Sequence, residues 1–247
     1  MKIVATIEAR MTSSRLPGKV LLPLGERPML EVMIERVKRS KLIDDLVVAT
    51  TVNDTDNPIV ELCNKLNIKH FRGSEDDLLD RILKTAKAHE VDIICELWGD
   101  SPLICPELID KAISAHLESD NDYTANFYPN NKFWTGSSVQ VFPTKILEKV
   151  ASLTNDPIDH VHVTCFIYQN PHLFKCGGVN CILETMSPEI RLCVDTQEDY
   201  ELVNTIYSEL VKTNQIFSHE DVLNYLELNP HLLLINRHIK QKKIEEG

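Results

Sequence analysis

Residues 9–19 read Ala-Arg-Met-Thr-Ser-Ser-Arg-Leu-Pro-Gly-Lys. Three cations, Arg10, Arg15 and Lys19, alternate with the hydroxyls of Thr12, Ser13 and Ser14. Pro17-Gly18 is a turn dipeptide that bends the backbone just before the lysine. The stretch follows the apolar run Ile3-Val4-Ala5-Thr6-Ile7, which reads as a buried first strand. A loop at the carboxyl end of such a strand, rich in fixed cations and N–H donors, suits a polyanion such as a triphosphate. A solvated basic loop is the simpler alternative, because runs of charge usually face water.

Two acids have a matching placement. Asp100 follows the run ending Leu97-Trp98-Gly99, and Asp195 follows Ile190-Arg191-Leu192-Cys193-Val194. Carboxylates just past strand ends face the ligand crevice of an open α/β sheet. Hard Mg2+ takes oxygen from one or two carboxylates plus substrate phosphate. Either acid alone reads equally well as a turn residue or helix cap; beside the basic loop the pair favours a metal. Asp120-Asn121-Asp122 spells the DxD of metal-dependent glycosyltransferases, but it precedes its strand in a polar cluster, as a solvated turn does. His160 and His162 fall in a helical pattern, where positions i and i+2 do not share a face. Trp98 and Trp134 read as core and lid; Trp134 also lies in an aromatic loop where a base could stack. No GxxxxGK(S/T) is present and no GxGxxG follows the first strand, which disfavours P-loop NTPases and dinucleotide dehydrogenases.

The elements that must position these groups follow from periodicity. Strands are expected at residues 46–51, 68–71 and 92–98, with helices opening at Pro28, at Asp56-Asn57-Pro58, after Ser74 as N-cap with Glu75-Asp76-Asp77 in the first turn, and at Pro106. Alternating strands and helices specify an open parallel sheet with crossover helices. Residues 122–125 and 138–142 read as further strands, and 127–136 as an aromatic, Asn-rich loop. A helix is expected from Asp156-Pro157 to about Tyr168, a strand beginning at 173–176, and a last strand at 190–194. Thr196 caps a helix over 197–211 with Asp199 in the capping-box position, and Ser218 caps one more. Only eight glycines are present, and Gly18, Gly73, Gly99 and Gly136 fall in four separate loops, where backbone must bend or approach a ligand.

The 247 residues fit one large α/β domain, assigned to 1–240 with a frayed tail at 241–247. The net charge of −11 disfavours nucleic acid polymers. Its distribution says more: residues 1–41 hold nine Lys/Arg against four Asp/Glu, leaving +5 there and −16 over the remainder. A local anion site on an acidic protein favours a small anionic ligand. The seven cysteines (Cys63, Cys95, Cys105, Cys165, Cys176, Cys181 and Cys193) include no CxxC pair, so neither zinc nor a disulfide framework is expected. No apolar run approaches a membrane span of about 18 residues, and the strand pattern starts at once without a leader. The expectation is a soluble, cytoplasmic protein.

Residues 9–19 resemble the signature loop of the sugar-acid cytidylyltransferases, which include the CMP-Kdo and CMP-sialic acid synthetases. The resemblance is closer to the spore-coat polysaccharide branch. It extends through Phe71-Arg72-Gly73-Ser74-Glu75-Asp76-Asp77, Gly99-Asp100-x-Pro102-Leu103-Ile104, His162-Val163-Thr164, Val194-Asp195-Thr196-x-Glu198-Asp199 and Asn229-Pro230-x-Leu232. It implies a single GT-A-like, Rossmann-like α/β domain with a mostly parallel central sheet flanked by helices and a smaller middle insertion. It also implies a nucleotidyltransferase using CTP and Mg2+. By position, Arg10, Ser13, Arg15 and Lys19 would bind the triphosphate, with Arg15, Lys19 and Asp100 catalytic. Asp100 and Asp195 would hold metal, and Arg72, Gly73 and Ser74 would lie near base and ribose. Relatives are commonly homodimers, and residues 122–180 are expected to supply the acceptor and dimer region.

One stretch departs from that branch. Its relatives usually show Asp-Gly-x-Asp-x-Glu before Val-Phe; here it is Thr135-Gly136-Ser137-Ser138-Val139-Gln140, with every acid replaced. Gly136, Ser138 and Gln140 are the expected acceptor-binding positions, so the acceptor is expected to be more anionic or to lack a cationic or hydroxyl group. A GT-A glycosyltransferase using Asp120 and Asp122, or a non-catalytic nucleotide-binding subunit, are the competing readings.

Overall fold

β1 (Ile3–Glu8) is a nearly continuous apolar strand because both of its faces are covered. In the computed structural model, which describes residues 1–131, 133–179 and 189–242, it lies inside a seven-stranded sheet. β2 (Pro23–Leu24) and β3 (Arg27–Pro28) form a separate two-stranded ribbon. The large sheet has the order β5-β4-β1-β6-β8-β7-β9, built from β4 (Asp45–Thr51), β5 (Lys69–Gly73), β6 (Ile93–Trp98), β7 (Tyr123–Ala125), β8 (Gln140–Pro143) and β9 (Cys176–Gly178). β8 runs antiparallel to β6 and β7; the other pairings are parallel.

Alternation along β1 splits its side chains between two apolar layers. Ile3, Ala5 and Ile7 join a core built with α1 (Met29–Val37), α2 (Asn57–Lys65), α4 (Pro106–Leu117), α8 (Gln197–Leu210) and α9 (His219–Leu228). Val4 joins a second core with α3 (Leu78–Ala88), α5 (Thr144–Leu153) and α7 (Cys165–Gln169). Thr6 and Glu8 share the second face, where they replace apolar side chains.

Several expectations are corrected. α5 is absent from the sequence reading, although Ile146, Leu147 and Val150 bury one helical face. The helix expected over 156–168 is two short ones, α6 (Pro157–Val161) and α7, separated by a turn at 162–164. Val161, Val163 and Thr164 are β-branched and weaken a helix there, and the break lets Val163 and Ile167 reach the core while Ile158 stays exposed. The strand expected at 190–194 is only an isolated bridge of Arg191 to Thr135. Its backbone bonds to loops instead: Leu192 N–H to the Thr135 carbonyl at 2.7 Å and Val194 N–H to that of Asp100 at 2.8 Å. α3 is capped by Asp77, which accepts from the Asp80 N–H, while Ser74 accepts from Asp77 one turn earlier. At the start of the tail, Gln241 accepts from the Arg191 guanidinium, and Lys242 lines the cleft described next. Residues 243–247 and Cys181 lie outside the described residues.

Candidate active site

Gly99 and the end of β1 meet almost without clearance. A Cβ at Gly99 would sit 2.3 Å from the Glu8 carbonyl, to which the Gly99 N–H also donates at 3.0 Å. This contact brings Asp100 up against the loop that leaves β1. The loop is folded by its own backbone: Gly18 N–H donates to the Met11 carbonyl at 2.8 Å, and Gly18 has φ +74, a left-handed conformation that glycine adopts without cost. Met11 N–H in turn donates to Asp56, which is buried behind the loop. Lys19 then opens a short 3-10 helix and points back across the turn.

The result is a cleft of about 420 Å³ lined by Arg10, Ser13, Arg15, Lys19, Asp100 and Asp195, among others. Lys19 Nζ lies 2.8 Å from Asp195 Oδ1 and 3.2 Å from Asp100 Oδ2. Arg15 Nη2 is 2.8 Å from Asp195 Oδ2, and Arg191 Nη2 is 2.6 Å from the same oxygen. Burial opposes ionisation of Asp195, but Lys19, Arg15 and Arg191 prevail and hold its carboxyl down at about 2. Burial likewise opposes the charge on Lys19, yet Asp100 and Asp195 raise its pKa above the ordinary lysine value.

Asp195 is placed by the helix that follows it. Asp199 closes the capping box of α8 and also accepts from the Asp195 N–H, from Arg191 and from Asn236. The backbone bond from Val194 to Asp100 ties the two carboxylate loops together. Among the described residues no cluster of three or more His, Cys, Asp or Glu suits a metal. Two carboxylates converging on one cation do suit Mg2+, which completes its shell with phosphate and water.

Other expected positions fall elsewhere. Arg72 is spent on structure, donating to the Thr51 and Asn53 carbonyls and to Asn57. Gly73 packs against Arg81, where a Cβ would meet Cγ at 2.8 Å. Ser74 joins neither to the cleft wall; its neighbours Glu75 and Asp76 line it instead. Gly136, Ser138 and Gln140 are also off the cleft wall. Gly136 has φ +105 and lies against the Leu192–Cys193 peptide, where a Cβ would come within 2.5 Å. Gln140 is buried, accepting from Tyr123 (2.7 Å) and Thr164 (2.5 Å), with its amide 3.5 Å from Glu96. At the last of these positions Gln140 thus joins a buried network, and Gly136 packs against backbone.

The DxD pair is engaged as a turn: Asp120 pairs with Lys175, and Asp122 accepts from the Lys175 N–H. Trp134 is buried and stacks on His219 with centroids 3.4 Å apart, so it is core and presents no face to a base. His162 terminates α6 and lines the cleft. Among the described residues the cysteines are free thiols, and burial pushes Cys63 and Cys105 up to about 11.

Glu8, Arg81, Trp98 and Lys242 also line the cleft and were missed from sequence. Glu8 carried a signal: a carboxylate ending an apolar strand directly before a basic loop. Burial, countered by Arg81, pushes its carboxyl up to about 7. Glu96, inside β6 on the same face, is likewise raised by burial and by Glu8.

A cytidylyltransferase family model matches residues 4–237, which contain every cleft residue except Lys242. The chain belongs to the cytidylyltransferase family. It is 40% identical over 248 residues to an uncharacterized protein of Methanocaldococcus jannaschii, covering 100% of this chain and 99% of that one. It is 34% identical over 234 residues to the spore coat polysaccharide biosynthesis protein SpsF of Bacillus subtilis, covering 92% and 95%. A solved cytidylyltransferase from Leptospira borgpetersenii superposes with a TM-score of 0.89 at 31% identity, covering 98% and 100%. The mostly parallel, helix-flanked sheet is thus the family fold, and the enzyme is a nucleotidyltransferase. No helix among the described residues is long and apolar enough to cross a membrane.

Proposed function

We propose that this cytidylyltransferase uses CTP and Mg2+ to convert a sugar acid, or a related anionic small molecule, into its CMP derivative with release of pyrophosphate, for surface polysaccharide or glycoconjugate synthesis. The observation that carries this reading is the gathering of Arg15, Lys19, Asp100 and Asp195 at one cleft wall. The acceptor class follows the resemblance of the basic loop to the sugar-acid branch.

An acceptor hydroxyl or phosphate oxygen attacks the α-phosphorus in line. The bond from the α-phosphorus to the α,β-bridging oxygen breaks as the new P–O bond forms, that oxygen leaves with pyrophosphate, and the proton of a hydroxyl acceptor passes to solvent. Such a transfer needs positioning and charge neutralisation more than covalent help. Arg10, Ser13, Arg15 and Lys19 bind the triphosphate, and Lys19 and Arg15 offset the charge that builds on the leaving group. Asp100 and Asp195 would hold Mg2+, a reading supported by the Lys19 ammonium that lies between their oxygens. Bound there, the metal would supply electrostatic stabilisation of the phosphate oxygens. Lys19 is then free to turn to phosphate.

Pyrophosphate release decides the reading. The enzyme is incubated with each nucleoside triphosphate, Mg2+ and a panel of keto-sugar acids, sugar phosphates and phosphonates. CTP with one acceptor class is expected to release pyrophosphate; no release with any pair would favour a nucleotide-binding subunit. Asp100→Asn should lower metal-dependent turnover at least ~100-fold with the circular dichroism unchanged, and near-normal turnover would refute its assignment. A homodimer is part of the proposal, and sedimentation equilibrium tests it.

A further inference from the structure

Beside the basic loop, two oppositely charged side chains line the cleft without forming an ion pair. Glu8 ends β1 on the sheet face covered by α3, and Arg81 comes from α3 itself. Both line the cleft. Arg81 is only 3% exposed; one guanidinium nitrogen donates to the Ser74 carbonyl at 2.6 Å, and its Nε is buried with no partner. Glu8 Oε2 is buried with no partner as well. Each is the strongest charged influence on the other, yet no ion pair within 4.0 Å joins them.

Buried donors and acceptors are almost always satisfied. A bare acceptor and a bare donor on oppositely charged residues of one cleft leave both open to a third group. That group must donate to Glu8 and accept from Arg81. Ala9 and Leu78 add apolar surface to the same cleft.

We propose that Glu8 and Arg81 form a recognition slot for a neutral ligand edge that presents an N–H donor beside an acceptor atom. The inference rests on the nucleotide-activating reading above. Two sources supply such an edge: the amino group and ring nitrogen of cytosine, and an acylamino group on the acceptor. A carboxylate accepting from the cytosine amino group is an established pairing. Uracil presents the reverse pattern at that edge, a carbonyl beside an N–H. The slot would therefore supply side-chain discrimination between the two bases.

Calorimetric titration of wild type and Glu8→Gln with Mg·CTP and with Mg·UTP, without acceptor, tests the base as source. Wild type is expected to bind CTP about 10- to 100-fold more tightly than UTP. Glu8→Gln, whose amide can donate as well as accept, should abolish most of that ratio. In a second arm, pyrophosphate release is compared for keto-sugar acids with and without an acetamido group. If the nucleotide ratio stays and a wild-type preference for the acetamido form is lost in Glu8→Gln, the slot belongs to the acceptor. Ratios unchanged in both arms overturn the proposal. Arg81→Lys, which keeps the charge and removes Nε, should move the same ratio as Glu8→Gln; if it unfolds on thermal scanning, Glu8→Gln alone decides. A wild-type enzyme that binds neither nucleotide refutes the nucleotide-activating reading, and the slot falls with it. CTP binding with an unmoved selectivity in both arms refutes the slot alone.

Discussion

His219 gives a test of how the carboxylate loops are supported, at a residue outside the cleft lining. Its ring stacks flat on Trp134, at an interplanar angle of 7°, and Phe133 meets its edge. Both ring nitrogens are buried without partners. Arg36 and Lys111 add positive potential, so burial first and these cations second push its pKa from 6.5 down to about 3. Trp134 precedes Thr135, whose bridge to Arg191 holds the stretch leading to Asp195. The folded imidazole stays neutral while the unfolded one protonates below about 6.5. A depressed histidine therefore contributes stability above that pH, and the contribution is lost as pH falls toward 3. Linkage puts the loss between pH 7 and pH 5 at about 2 kcal/mol, and the full loss near 3 at about 5 kcal/mol. His219→Phe keeps the stack and cannot be protonated. Urea unfolding, followed by tryptophan fluorescence, compares the two proteins at both pH values. Glu8, raised to about 7, acts in the opposite sense, adding stability as pH falls toward 4.5; it is common to both proteins and cancels. The stability of the variant relative to wild type should rise by about 2 kcal/mol on going from pH 7 to pH 5. Parallel pH profiles for the two proteins would refute a neutral buried imidazole.

Gly99→Ala should destabilise the fold by about 1–3 kcal/mol and reduce turnover beyond that, because the new methyl group would push Asp100 away from the β1 carbonyl it meets at 2.3 Å; chemical denaturation beside a pyrophosphate assay reads both. Lys19→Met should weaken triphosphate binding by about 10- to 100-fold, the worth of a charge-assisted hydrogen bond. The same variant should strengthen Mn2+ binding in the absence of nucleotide, since the ammonium no longer occupies the two carboxylates; calorimetry that shows Mn2+ affinity unchanged would count against their role as metal ligands.

Much of the fold is legible in the chain because its signals are local. β1, β4 and β6 are apolar runs rich in β-branched residues, and α8 announces itself through Thr196 and Asp199, which close the capping box. α5 carries a local signal in Ile146, Leu147 and Val150, whereas the break in the helix expected over 156–168 follows from tertiary burial of Val163 and Ile167. The extended stretch at 190–194 has strand composition, yet its partners are loop carbonyls, which no periodicity encodes.

By itself the sequence determined the parallel α/β class, the basic loop and the two acids that flank it, because strand periodicity, turn chemistry and charge spacing act within a few residues. Only the tertiary structure decided which of those groups meet. Lys19 bridges acids 81 and 176 positions away in the chain. Arg72 is tied to backbone carbonyls, Gln140 joins a buried network, and Glu8 and Arg81 each keep a buried polar atom without a partner. These outcomes depend on which sheet face a residue occupies and on what packs over it, and burial of that kind is a property of the assembled core.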